Sequence, residues 1–144
     1  MNDITELEIA YACERLTVQY CQLIDHGQAA KTADLFSPDG VLDLGRGEWR
    51  GREEIRDGME ARDAMTQRIS RHVCNNFLIT SMENSRATAT TYLSLYRSDV
   101  EAGEEVGRID GPAVLGEYED RFIKTDEGWR IAHRICRIDL TSET

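Results

Sequence analysis

QRISRHVCNNFLITS, residues 67–81, decides how the chain is to be read, because here the apolar period changes from helical to two. Alternation puts Ile69, Val73, Phe77 and Ile79 on one face of a strand. Ser70, His72, Cys74, Asn76 and Leu78 fall on the other, with an imidazole near the middle. Three further runs alternate in the same way: RATATTYLSLYRS (86–98), AVLGEYEDRFIKT (113–125) and GWRIAHRICRIDL (128–140). They are separated by MENS, by the charged loop VEAGEEVGRIDGP and by DEG, a short Gly-containing connection of the kind that closes hairpins. Four sequential antiparallel strands are expected.

Upstream the period is helical. Residues 4–26 contain no Gly or Pro, and Ile9, Cys13, Leu16, Tyr20, Leu23 and Ile24 form one stripe at about 100° per residue. A weaker second stripe of Leu7, Tyr11, Val18 and Cys21, with Asp25 at its end, predicts a long helix covered on two sides. A short helical piece, AAKTADLF (29–36), is stopped by the turn formers of SPDG, after which VLDLG (41–45) reads as an early strand. A Gly-rich turn around GRGEWRG leads to REEIRDGMEAR (52–62), a third helix with Ile55 and Met59 one turn apart; Gly58 inside it costs roughly 1 kcal/mol relative to Ala. Helices interleaved with one strand and followed by a meander predict an α+β fold, with three N-terminal helices packed on one face of a strongly curved, mostly antiparallel sheet. Without an internal repeat or linker, residues 1–144 form a single domain.

Composition narrows the function. A chain of this length buries roughly two thirds of its unfolded surface, enough for one core. It carries 27 acidic against 17 basic residues, a formal net charge of −10, so its field repels phosphate backbones and anionic lipid. Neither nucleic acid nor a membrane is an expected partner. MNDITELEIAYACERL has acidic residues where a secretory signal is basic, and no apolar run approaches the roughly 18 residues of a membrane span. A cytoplasmic location is expected, and with it four reduced, buried thiols, since Cys13, Cys21, Cys74 and Cys136 form no CxxC pair. No HxxE, HxH or HExxH pattern and no Gly-rich phosphate loop is present, and the adjacent Asp25 and His26 point apart on a helix. No metal or nucleotide cofactor is expected.

The ordered set IDHGQAAKTADLFSPDGVLDLG, GREEI, RHVCNN, GEYEDRF and DEGWRIAHR, spanning nearly the whole chain, resembles the SnoaL-like family of the nuclear transport factor 2-like superfamily. That resemblance implies a conical half-open barrel in which the long first helix and the curved sheet enclose an apolar pocket. Members with this fold include scytalone dehydratase, bile-acid 7α-dehydratase, a dehydrochlorinase, isomerases, cyclases and the small subunits of ring-hydroxylating dioxygenases, so the fold by itself does not select a function. In the dehydratase and dehydrochlorinase members an Asp near the end of the first helix supports a His base on the strand after the third helix. Asp25 in LIDHG and His72 in SRHVCNN stand in those places; Tyr20 matches a pocket Tyr five positions before the Asp, and Arg134 an Arg on the last strand. The second pocket His of scytalone dehydratase has no counterpart in RATATTYLSLYRS. The resemblance also implies a homo-oligomer, dimer or trimer.

An imidazole is the side chain suited to taking a proton at neutral pH and returning it elsewhere, and a carboxylate on one ring nitrogen fixes its tautomer. Asp25 would aim His72, Tyr20 would donate a hydrogen bond, and Arg134 would hold a developing enolate or an anionic leaving group. Two geometric expectations accompany this. An ideal helix sets Tyr20 and Asp25 roughly 140° apart. On an ideal last strand Trp129, Ile131, His133 and Ile135 alternate with Arg130, Ala132, Arg134 and Cys136, so His133 or Arg134 faces the cavity, not both. Asp43 and Trp49 are candidates for the pocket mouth. The expected function is a cofactor-independent acid–base lyase, dehydratase-like, acting on a small apolar cyclic or polycyclic molecule. An isomerase or cyclase using the same dyad, or a non-catalytic small subunit or ligand-binding module, is the alternative.

Overall fold

The computed structural model describes residues 1–142. Helix α1 (Asp3–Asp25) begins where the Asn2 side chain accepts the Thr5 N–H at 2.9 Å, with Asp3 and Glu6 at the positive end of the helix dipole. It buries the expected stripe, Ile9, Cys13, Leu16, Tyr20 and Ile24, except for Leu23, which is only partly buried. The second stripe is not covered: Leu7, Tyr11 and Val18 are 70%, 65% and 51% exposed, and only Cys21 of that set is buried. One sheet supplies the cover for this helix, and a single concave face can bury only one stripe.

A 3-10 helix (Ala29–Leu35) follows, its first free amides taken by Asp63, which accepts Ala29 N–H at 2.6 Å and Ala30 N–H at 2.9 Å. The helical piece ends just before SPDG, as its turn formers suggest, but SPDG is not a free turn. It lies inside strand β1 (Phe36–Asp43) as an irregularity between the pairings Phe36–Ile131 and Val41–His133. Short β2 (Glu48–Arg50), hidden in what reads as a turn, pairs with β1 and carries Trp49 against α2 (Gly51–Asp63). A Cβ on Gly58 would come within 2.4 Å of the Trp49 indole, so the glycine that weakens the helix is what admits the ring. Trp49 is therefore a packing residue and does not line the cavity described below.

The four alternating runs become β3 (Arg68–Met82), β4 (Arg86–Asp99), β5 (Val114–Thr125) and β6 (Gly128–Thr141). They form an antiparallel meander, and β1 adds to β6 in parallel, giving the order β2-β1-β6-β5-β4-β3 in a curved, unclosed sheet. Among the described residues no helix is long and apolar enough to cross a membrane.

Two bulges change which residues face the helix. On β3, Asn76 adopts φ 54° and the register slips between Asn75 and Leu78. The strict alternation read from the sequence therefore holds only up to Cys74. Ser70 and Cys74 face inward with His72 between them, but beyond the bulge it is Phe77 and Ile79 that pack on the core while Leu78 is 61% exposed. On β6 the register slips where Arg121 pairs with His133 but Phe122 with Ile131, which lets Ile131 and Arg134, of opposite parity, both be buried.

Candidate active site

Asp25, the last residue of α1, meets β3 at its inward face. Its Oδ1 accepts from His72 Nδ1 at 2.6 Å and from the Ser70 hydroxyl at 2.8 Å; its Oδ2 accepts the His72 backbone N–H at 2.8 Å. Arg62, in the last turn of α2, donates to the Ser70 oxygen at 2.8 Å and so lengthens the chain to Arg62–Ser70–Asp25–His72. Burial acts to raise the Asp25 carboxyl, yet the bonds from His72 and Ser70 outweigh it and hold the group below its ordinary value. An ionised Asp25 accepting from Nδ1 requires the proton on that nitrogen, which leaves the Nε2 lone pair as the basic atom.

His72 lies on a cavity of about 650 Å³. Tyr20 and Tyr118 form another part of its wall, with Ile24, Leu93, Leu95 and Ile135 among the apolar lining. The two tyrosine rings meet edge to face at 5.8 Å between centroids, and neither hydroxyl is engaged by another described residue. Burial pushes both phenols above their ordinary value, so each remains a hydrogen-bond donor at neutral pH. The angular separation of Tyr20 and Asp25 is resolved by depth. Tyr20 reaches the cavity itself, whereas Asp25 stands behind His72 and acts on the cavity through it. Asp43 lines the cavity as expected from its place after the early strand.

Arg134 is elsewhere. It is fully buried and does not line the cavity; it forks onto Asp120, Nε to Oδ1 and Nη2 to Oδ2 both at 2.8 Å, while Nη2 also reaches Thr17 Oγ1 at 2.6 Å. Its guanidinium carbon sits 4.5 Å from the Tyr20 ring centre and 4.2 Å from that of Tyr118. Burial works against its charge, but Asp120 more than offsets this and the guanidinium is held above its ordinary value. It cannot touch a ligand in the cavity; it supports the two tyrosines from behind. His133 lies on the opposite face, so neither of the two residues expected to face the cavity from this strand lines it; Ile135, Cys136, Arg137 and Ile138 do. His26 turns its Nδ1 back to the Gln22 carbonyl at 2.8 Å, away from Asp25.

The thiols are less scattered in space than in sequence. Cys21 and Cys74 bring their sulfurs to 3.4 Å, one helical turn before Asp25 and two residues after His72, and Cys136 lines the cavity with its thiol pushed up by burial to about 11. Cys13 is pushed up to about 12 by the same cause.

With this geometry in hand, the family model for the SnoaL-like domain matches residues 5–135. The chain belongs to the SnoaL-like family. Among curated proteins none matches it. Solved structures share its fold. A Mycobacterium tuberculosis protein of unknown function is 27% identical with a TM-score of 0.77, over 99% of this chain and 79% of that one. A Novosphingobium aromaticivorans protein with the provisional name scytalone dehydratase is 22% identical with a TM-score of 0.82, over 99% and 92%. LinA is 16% identical with a TM-score of 0.80, over 100% and 95%.

Reading the sequence missed three members of this SnoaL-like site. Ser70 carried a usable signal, since residues two apart on a strand share a face and Ser70 precedes His72 by two. Tyr118 and Arg62 carried none, because their approach depends on sheet curvature and on where α2 docks.

Proposed function

We propose that this SnoaL-like protein is a cofactor-independent acid–base lyase acting on a small cyclic molecule with an apolar body. The observation that supports this best is the 2.6 Å contact of His72 Nδ1 with a carboxylate that is otherwise satisfied by Ser70 and a backbone amide, leaving Nε2 toward the cavity. Nε2 removes a proton from carbon, the C–H electron pair becomes the new double bond as the adjacent carbon–leaving-group bond breaks, Asp25 fixes the tautomer and stabilises the imidazolium, and a departing hydroxyl, hydrogen-bonded by Tyr20 or Tyr118, leaves as water with the proton that His72 returns. Arg134 serves as a positioning residue, its charge behind the two rings favouring proton donation by both phenols. If His72 returns its proton to a different carbon of the same molecule, the outcome is isomerisation, and the same groups suffice.

The test follows carbon–hydrogen exchange by ¹H NMR. In D₂O the protein is expected to catalyse deuterium incorporation next to the carbonyl of an apolar cyclic ketone such as 2-tetralone, and His72→Gln to slow this by about 10² to 10⁴-fold, the usual worth of a positioned base. Equal exchange in both proteins, or none in either, contradicts the reading.

A further inference from the structure

In a chain of net charge −10, the cavity wall has the opposite sign. Among the described residues five arginines (Arg46, Arg62, Arg68, Arg97 and Arg137) line the cavity, against one carboxylate, Asp43. Not all five are equivalent. Arg137 is taken up by Glu117, Glu119 and Asp139, and Arg68 forks onto Asp99 at 2.8 and 3.0 Å.

The sheet register gathers three of them at one place. Ser70 on β3 stands directly opposite Arg97 on β4, so the two share a face; Arg68 is two residues before Ser70 on that face; and Arg62 reaches across from α2 to the Ser70 hydroxyl. His72 is the next residue of the row, opposite Leu95. A cluster of guanidinium groups thus begins beside the proposed base, where the apolar lining ends.

Within that cluster Arg62 is the member without a direct ion pair among the described residues. Among the described residues its only hydrogen-bond partner is a neutral hydroxyl, and no carboxylate comes within ion-pair distance. The acids nearest in sequence and space are committed elsewhere, Asp25 to His72 and Asp63 to the amides of Ala29 and Ala30. Its partial burial and then the like charge of Arg68 disfavour the cation and outweigh the more distant attraction of Asp25, Asp63 and Asp99, so the group is held below its ordinary value. A partly buried guanidinium whose one described hydrogen bond goes to a neutral hydroxyl gains from an anion on its remaining N–H groups, and a guanidinium fork matches a carboxylate or phosphate oxygen pair.

We propose that the ligand of this cavity carries an oxyanion, a carboxylate or a phosphate, bound by Arg62 with Arg68 and Arg97, and an apolar ring body that extends from there past His72 toward Tyr20 and Tyr118. The catalytic meaning of this placement rests on the reading of His72 as the base; the binding itself does not. Anchoring the anion at the arginine end fixes which carbon of the body lies against Nε2, so the cluster sets regiochemistry as well as affinity.

The experiment uses the full chain and three matched probes in ¹H–¹⁵N NMR titrations at low salt: 2-naphthoate, 2-naphthyl phosphate and the neutral 2-acetylnaphthalene. One of the anions is expected to bind roughly ten- to a hundredfold more tightly than the ketone, the range of a charge-assisted pair, with shifts at the amides of Ser70, His72 and Arg97. Whichever anion binds more tightly assigns the group. Arg62→Gln and Arg97→Gln are each expected to bring the ratio toward one, and His72→Gln to preserve it. The proposal is overturned if the ketone binds as well as both anions, if both arginine variants keep the ratio, or if no probe binds. Loss of the anion preference with exchange chemistry intact removes this inference alone, and the converse result removes only the lyase.

Discussion

Two polar clusters sit a few side chains apart in this molecule, built from the same kinds of group. In one, Arg134, Asp120 and Thr17 bind one another with the side chains of Arg134 and Asp120 wholly shielded from solvent. In the other, His72, Asp25 and Ser70 do the same at a cavity wall, with His72 12% exposed. The sealed cluster has more charge and more burial, yet the atom proposed to react is in the open one. Arg134 Nη1, although buried without a hydrogen-bond acceptor, is part of a guanidinium lying against the faces of Tyr20 and Tyr118, whose π density offsets its charge. His72 lines the cavity, and its Nε2 has no hydrogen-bond partner among the described residues. On the proposed reading a perturbed, buried ion pair is the poorer guide to function here, and a basic atom left over at a cavity wall the better one.

The contrast breaks most readily at Asp120. Asp120→Asn leaves the Arg134 charge buried and uncompensated and is expected to cost about 3 to 5 kcal/mol in urea unfolding, against no more than about 1 kcal/mol for His72→Gln, which leaves Asp25 its Ser70 and backbone donors. If the two variants are equally stable, the division into a structural and a functional cluster fails.

Acid sharpens it. Asp25 titrates below its unfolded value of about 3.9, so its charge stabilises the fold above that pH, and the contribution is lost as pH falls through the lower folded value. The stability gap between wild type and Asp25→Asn, roughly 1 to 3 kcal/mol at pH 7, is expected to narrow steadily below about pH 4. A gap that stays constant from pH 7 to pH 3 shows that Asp25 holds nothing through its charge.

How far the sequence discloses all this depends on the range of the interactions. Helix α1 and the four long strands were legible because their apolar periods are local properties. The outward turn of Leu78 and the burial of Ile131 alongside Arg134 were not, because each follows from a bulge, at Asn76 and near Ala132, and a bulge is a property of strand pairing that alternation within one strand does not carry. Gly58 looked like a weakness until Trp49 was seen to occupy the space of its missing side chain. The positions of Asp25 and His72 came from likeness to family motifs, since nothing in the spacing of residues 47 apart announces a contact. The arginine cluster combines both cases: Arg68 and Ser70 share a face by local periodicity, while Arg62 and Arg97 join them only through docking and register.

The central claim is that Asp25 holds His72 in the Nδ1–H tautomer with Nε2 free for a proton. The most direct measurement is long-range ¹H–¹⁵N NMR of the imidazole nitrogens at neutral pH in wild type and in Asp25→Asn. The account predicts a protonated Nδ1 and an unprotonated Nε2 for His72 in wild type, and loss of that fixed pattern in the variant. An Nε2–H tautomer in wild type, or an identical spectrum in both proteins, contradicts it.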